Sequence, residues 1–211
     1  MISLTLILLI IATILGVINY KKLTPQYKKL FVVYLVFNLV MEMIATNVAS
    51  HHGNNLGVYN VSLSVELLVF LFIFYHALER VPYKKTTLMF LYILAAFIVC
   101  NFLFIQKMKA FHSYTYTLGS LFLFISIGFY FVQGFKKIPL YNPFKDFLFW
   151  VGIGILFCYL LSYPFMSVFN FVFAKSVMLS RQMTFLTAFA NCIAFFCYSI
   201  GFLCLAYQKK S

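Results

Sequence analysis

Acidic residues are almost missing from this chain: Glu42, Glu66, Glu79 and Asp146 are all it has among 211 residues. Charged residues of either sign make up only 9% of it, against 64% hydrophobic. No stretch is polar enough to form a separate soluble domain, so residues 1–211 read as one domain. No serine, cysteine or metal-ligand constellation has catalytic spacing, and no phosphatase, protease or cofactor fingerprint is present. The sequence therefore implies no cofactor and no metal, and it places an intramembrane enzyme last among the functional readings. The five cysteines (Cys100, Cys158, Cys192, Cys197, Cys204) all fall inside apolar runs. That placement predicts buried thiols, not disulfides or metal ligands.

What the chain does have is apolar length. A spanning helix needs about 20 mostly apolar residues, because each residue rises ~1.5 Å across a hydrocarbon core of ~30 Å. Seven runs qualify, at about 2–20, 29–49, 60–79, 86–106, 113–134, 147–168 and 183–207. The fold class is thus an all-α integral membrane protein of seven transmembrane helices. The first run has no basic residues before it and no small-residue cleavage site, and Lys21-Lys22 follow it, so it is expected to be a retained helix and not a cleaved signal.

The formal charge of +12 would suggest nucleic acid in a soluble protein, but here the basic residues sit in short loops, so no nucleic-acid partner is implied. Twelve of the sixteen lie in the loops after the first, third and fifth runs and in the tail: Lys21, Lys22, Lys28, Lys29, Arg80, Lys84, Lys85, Lys136, Lys137, Lys145, Lys209 and Lys210. The other side holds Lys107, Lys109, Lys175 and Arg181. The positive-inside rule then puts the amino terminus outside and the carboxyl terminus in the cytoplasm, with the chain multi-pass in the inner (plasma) membrane. Trp150 and the tyrosines Tyr20, Tyr27, Tyr83, Tyr141 and Tyr207 stand near the cytoplasmic ends, where interfacial anchors belong. The basic loops also favour contact with anionic lipid headgroups.

Lys21-Lys22-Leu23 followed by Tyr27-Lys28-Lys29-Leu30 resembles Lys136-Lys137-Ile138 followed by Phe144-Lys145-Asp146-Phe147. A 3+1+3 parallel repeat, with the fourth helix as linker, would produce this pattern. Basic loops between apolar helices would also look alike without any repeat.

The informative stretch runs from Asn38 to Glu66, where two glutamates interrupt apolar runs on either side of the loop His51-His52-Gly53-Asn54-Asn55. From the run boundaries, Glu42 lies ~12 Å and Glu66 ~9 Å below the outer surface. Asn191 is at ~12 Å and Asn101 at ~8 Å, and Tyr116, Thr117, Ser162 and Tyr163 add polar groups to outer ends. Asn38, Glu42 and Thr46 recur at four-residue steps, as do Ser62 and Glu66, and Thr184, Thr187, Asn191, Ala194, Tyr198 and Gly201 alternate three and four. A carboxylic group at the bilayer centre costs about 2.5 to 3.5 kcal/mol, so these stripes should turn inward and make the second, third and seventh helices neighbours. Gly154, Cys158 and Ser162 form a small-residue stripe expected to be a close helix contact. Pro164 is expected to kink the sixth helix near its outer end.

Interhelical hydrogen bonds average only about 0.6 kcal/mol, too little to offset the insertion of two acids as mere structural ties. The candidate site for a ligand or protons is therefore Glu42, Glu66, Asn38, Thr46, Asn191, Asn101 and Tyr163. Two functions fit it: a transporter-like or binding protein whose outward-facing pocket takes a small solute or protons, and a sensor or accessory subunit that signals to a separate protein at the cytoplasmic face. The inner half, dense with Phe and Leu, offers no obvious polar route for transport.

Overall fold

The computed structural model describes residues 3–108, 110–137, 142–173 and 177–207. Tyr141, Lys109, Lys175, Lys209 and Lys210, named above for charge or anchoring, lie outside the described residues, as do the side chains of His52 and Tyr207. All regular structure among the described residues is helical, and seven helices are long and apolar enough to cross a membrane. They are α1 (Leu4–Asn19), α2 (Lys29–His52), α3 (Leu56–Ala77), α4 (Val81–Cys100), α5 (Ser113–Phe135), α6 (Phe147–Met166) and α7 (Val177–Tyr207). A π-helical turn, Asn101–Ile105, prolongs α4, and a short helix, Phe169–Phe173, lies between α6 and α7.

Local chemistry sets the helix ends. Ser3 caps α1 by accepting from the Leu6 amide at 3.2 Å, and Asp146 caps α6 by accepting from the Leu148 amide at 3.2 Å. Pro82 stands in the first turn of α4, where its missing N–H costs nothing. Gly53 ends α2 with φ +70, the left-handed conformation that a side chain would strain, and its amide reaches the Ala49 carbonyl at 3.1 Å. Three starts differ from the hydropathy reading: α3 begins at Leu56, α4 at Val81 and α7 at Val177. Hydropathy locates the membrane and not the helix. The apolar part of α7 begins at Arg181, one turn after its helical start. Pro164 is accommodated inside α6, which continues to Met166.

Six helices close a ring in the order α1, α2, α3, α5, α6, α7, with α7 packed back on α1. α4 lies outside this ring against α3 and α5 and is the least buried of the seven. Side chains such as Val33, Met43, Phe104 and Phe185 point outward from the bundle, as lipid-facing residues do. The seam between α6 and α7 is the most extensive. It depends on Gly154, where a Cβ would come within 2.8 Å of the Tyr198 ring and 3.0 Å of the Ala194 carbonyl oxygen. α7 is thus a neighbour of α6 and α1, and it reaches α2 through side chains, Tyr198 and Phe202 packing on Phe31.

At the end carrying the loops at 20–28 and 78–80 and the residues Lys137 and Asp146, two of the four acids are ion-paired. Lys137 Nζ meets Glu79 Oε2 at 2.6 Å, and Lys28 Nζ meets Asp146 Oδ1 at 3.6 Å, while the Tyr130 hydroxyl donates to Asp146. The two basic loops that look alike in sequence therefore touch through Lys28 and Asp146. Gln133 Oε1 accepts from the amides of Glu79 and Arg80 at 3.0 and 3.2 Å, which ties the α3–α4 turn to α5.

Candidate functional site

Glu66 stands at the middle of α3, ten residues after Leu56, or ~15 Å from that end. The deeper position follows from the earlier start of α3. Its side chain points into the ring, where the Tyr159 hydroxyl of α6 donates to Oε1 at 2.8 Å. The Tyr34 hydroxyl of α2 lies within electrostatic reach of the same carboxyl, and Asn38 Nδ2 donates to Tyr34 Oη at 3.2 Å. Phenols from two different helices thus flank one carboxyl inside the bundle, and one of them bonds it.

Around this centre lies a wider polar layer. Tyr116 and Tyr159 stack with ring centroids 5.2 Å apart. The Tyr116 hydroxyl and Ser162 Oγ are 2.5 Å apart, and Ser162 Oγ donates to the Cys158 carbonyl, so the phenol is the donor of the first bond. Cys158 Sγ donates to Asn191 Oδ1 at 3.1 Å. Glu66 is within electrostatic reach of Tyr34, Tyr116, Tyr159, Tyr198 and Cys158. The small-residue stripe of α6 therefore divides its work, Gly154 making a close contact while Cys158 and Ser162 join the polar layer. Glu66, Asn38, Cys158 and Asn191 face other helices, and each keeps part of its surface accessible.

Toward the basic-loop end the ring is filled with aromatics. Phe31, fully buried, packs on Phe70 at 6.0 Å, Phe147 at 5.6 Å, Tyr198 at 4.9 Å and Phe202 at 6.1 Å. These residues come from α2, α3, α6 and α7, and Phe70 is one turn along α3 from Glu66. Tyr34 sits edge-on to Phe70 at 4.7 Å, joining the plug to the carboxyl.

The other candidates are placed as follows. Asn38 and Asn191 belong to the Glu66 layer through Tyr34 and Cys158. Glu42 lies at the edge of the α2–α3 seam, where the Tyr59 hydroxyl approaches Oε2 at 3.4 Å, and it shares no partner with Glu66. Thr46 is exposed and donates to the Glu42 carbonyl at 2.8 Å. Tyr163 is half-buried beside Phe124 of α5 at 6.2 Å. Asn101 is fully buried in a separate knot: its amide nitrogen donates to Thr115 Oγ1 at 2.7 Å and Gln106 Oε1 at 3.0 Å, and its oxygen accepts from the Gln106 amide at 3.1 Å. The same knot contains Asn60, which bonds the His112 amide and the Ala110 carbonyl, and Asn170, which reaches the Phe111 carbonyl.

Tyr34 and Tyr159, the phenols flanking Glu66, were not singled out from the sequence. Their signal was position: both tyrosines lie well inside spans, away from the interfaces where the amphipathic ring usually sits.

Cys158 and Ser162 donate to an amide oxygen and a carbonyl, not to a general base. Among the described residues no group of three or more His, Cys, Asp or Glu side chains is arranged to hold a metal ion. No protein-family model, no curated protein and no solved structure matches the chain.

Proposed function

We propose that this chain is a multi-pass protein of the inner (plasma) membrane that binds a small solute or protons at Glu66, in a pocket facing the side opposite the basic loops. The observation that carries this reading is the division of the acids. Glu79 and Asp146 are neutralised by lysines at one end, whereas Glu66 has only hydroxyl partners in the centre of the bundle. Among the described residues every lysine and arginine stands in a loop or within about one turn of a helix end, too far away to neutralise it. The Tyr159 hydroxyl bond offsets only part of an insertion cost of about 2.5 to 3.5 kcal/mol, and ionisable groups held inside membranes are functional by default. Glu42 is assigned the rim of the same pocket, with Asn38 and Asn191 lining it, and the amino terminus is assigned to the outer side.

The aromatic plug favours a second reading of what binding does. Phe31 and its neighbours fill the inner half of the ring, so a bound solute meets a closed floor. This suits a sensor or accessory subunit that passes the bound state to a separate protein at the cytoplasmic face, more than a carrier that must open that floor.

The test is thermal unfolding of the purified chain in detergent, run over a panel of small solutes and pH values for wild type, Glu42→Gln and Glu66→Gln. A solute or proton stabilisation seen in wild type and lost in Glu66→Gln supports the pocket. Equal responses in all three proteins, with the Gln variants as stable or more so, make the glutamates structural ties and remove this reading.

A further inference from the structure

We infer that the groove between α1 and α2 at the basic-loop end binds one anionic phospholipid, its acyl chain lying along the valines of the groove and its phosphate held by Lys21 and Lys29. The groove has a volume of about 390 Å³ and is lined by Val17, Tyr20 and Lys21 on one side and by Val32, Val33 and Val36 on the other. Its floor is Val32, which is buried and packs on the backbone of α1 at Gly16, where a Cβ would come within 3.4 Å of the Val32 side chain. Its walls are open, since Val17, Val33 and Val36 keep 55%, 52% and 42% of their surface exposed.

Both helices present the same order of chemistry along the groove. Val17, Tyr20 and Lys21 share one face of α1 and of the turn that extends it, and Lys29, Val32, Val33 and Val36 share one face of α2, at steps of three and four residues. Each wall therefore runs from valine to an ammonium group as it approaches the membrane surface, over ~10 Å between Val36 and Lys29. Lys29 Nζ lies 5.4 Å from the centroid of the Tyr20 ring, which brings the cation of α2 against the aromatic of α1 at the head of the groove.

These two ammonium groups have no acid of their own. Asp146 is taken by Lys28 and Glu79 by Lys137, and neither Lys21 nor Lys29 has an acidic partner among the described residues. A second copy of this chain, at a formal charge of +12, would bring like charge to the same place. A free anion would meet the lysines and leave the valine walls unused. An anionic phospholipid supplies charge and apolar chain in the order in which the groove presents their partners, and basic pockets between spanning helices are recurrent headgroup sites.

The test uses the full chain, delipidated in a non-ionic detergent and titrated with phosphatidylglycerol or phosphatidylcholine of identical acyl chains, or with glycerol phosphate as the headgroup alone. Native mass spectrometry counts what each protein retains. We expect a single phosphatidylglycerol to be retained at concentrations at which phosphatidylcholine and glycerol phosphate are lost. Lys21→Gln combined with Lys29→Gln should weaken this retention about tenfold. Val33→Trp, which fills the groove from its lipid-facing wall and leaves both lysines in place, should weaken it as well. Lys84→Gln combined with Lys85→Gln removes the same charge from another basic loop and should leave it intact. Equal retention of the two lipids, or an equal loss in the two lysine pairs, would reduce the effect to a general attraction of basic loops and overturn the site. Glycerol phosphate held as firmly as phosphatidylglycerol would make this a free-anion site and overturn the lipid assignment. No retention by wild type, or retention unchanged in Val33→Trp, would remove the groove as the place of binding.

Discussion

The Tyr159 hydroxyl donates to Glu66 Oε1 across 2.8 Å, joining α6 to α3, two helices that are not adjacent in the ring. This bond spans the inside of the bundle at the level of the polar layer, and it couples the Glu66 carboxyl to the position of α6. Since α6 carries the largest helix seam, with α7, a change at the carboxyl has a direct mechanical route to two helices.

Removing either partner of this bond should be felt, and removing both should not cost the sum. Tyr159→Phe is expected to destabilise by about 1 to 2 kcal/mol, and Glu66→Gln by less or not at all, since a buried amide is easier to accommodate than an acid. The coupling in a double-mutant cycle, measured by denaturant unfolding in detergent, should exceed about 0.5 kcal/mol. A cycle that closes to zero would show that the bond contributes nothing.

The plug makes a sharper demand. Phe31→Ala deletes the ring that touches Phe70, Phe147, Tyr198 and Phe202 at once, and should cost about 3 to 5 kcal/mol. In proteoliposomes the same change should raise water or small-ion permeability above that of wild type, because it opens the floor beneath Glu66. An unchanged leak would mean that the seal lies elsewhere.

Two glycines separate close packing from mere helix flexibility. Gly154→Val should destabilise by about 1 to 3 kcal/mol by pushing α7 away, because even a Cβ meets the Tyr198 ring and the Ala194 carbonyl. Gly128→Ala, with nothing within 4 Å of the added carbon, should be neutral or stabilising by up to ~1 kcal/mol through helix propensity. Unfolding midpoints of the two variants in the same detergent give the comparison directly.

His112 supplies a pH dependence outside the membrane-spanning segments. Burial holds its imidazole below the ordinary value of 6.5, against a smaller opposing effect of the bond to the Lys107 carbonyl at 2.7 Å. Because the folded state resists protonation more than the unfolded chain, this stability is complete above about pH 6.5 and is lost as pH falls through the lower folded-state value. In the Glu66→Gln background, where that carboxyl no longer titrates, the thermal midpoint should therefore drop on acidification, and adding His112→Gln should flatten that drop. A Glu66→Gln midpoint as high at pH 5 as at pH 7.5 would contradict the buried neutral ring.

The spans were legible in the sequence because membrane thickness sets them, and a run of about 20 apolar residues needs no knowledge of its neighbours. Glu66 was legible for a related reason, since a carboxyl in such a run stands out against hydrocarbon whatever surrounds it. Asn38 and Asn191 were found by helical spacing, which reports the face of a helix. The same spacing grouped Glu42 and Thr46 with Asn38, but a stripe drifts around the helix with each turn, and Thr46 comes out exposed while Asn38 turns inward.

Only the tertiary structure decided who meets whom. That Tyr34 and Tyr159 both flank Glu66, that Asn101 is engaged in the knot at the start of α5, and that Phe31 gathers rings from three other helices all depend on helix rotation and on the order of the ring. Those quantities arise from contacts between residues as far apart as Glu66 and Tyr159, and no local pattern encodes them. The sequence alone determined the number and length of the spans and the presence of an acid within them, through the energetics of one helix in lipid. The partners that give that acid its chemistry came from packing, which is a property of all seven helices together.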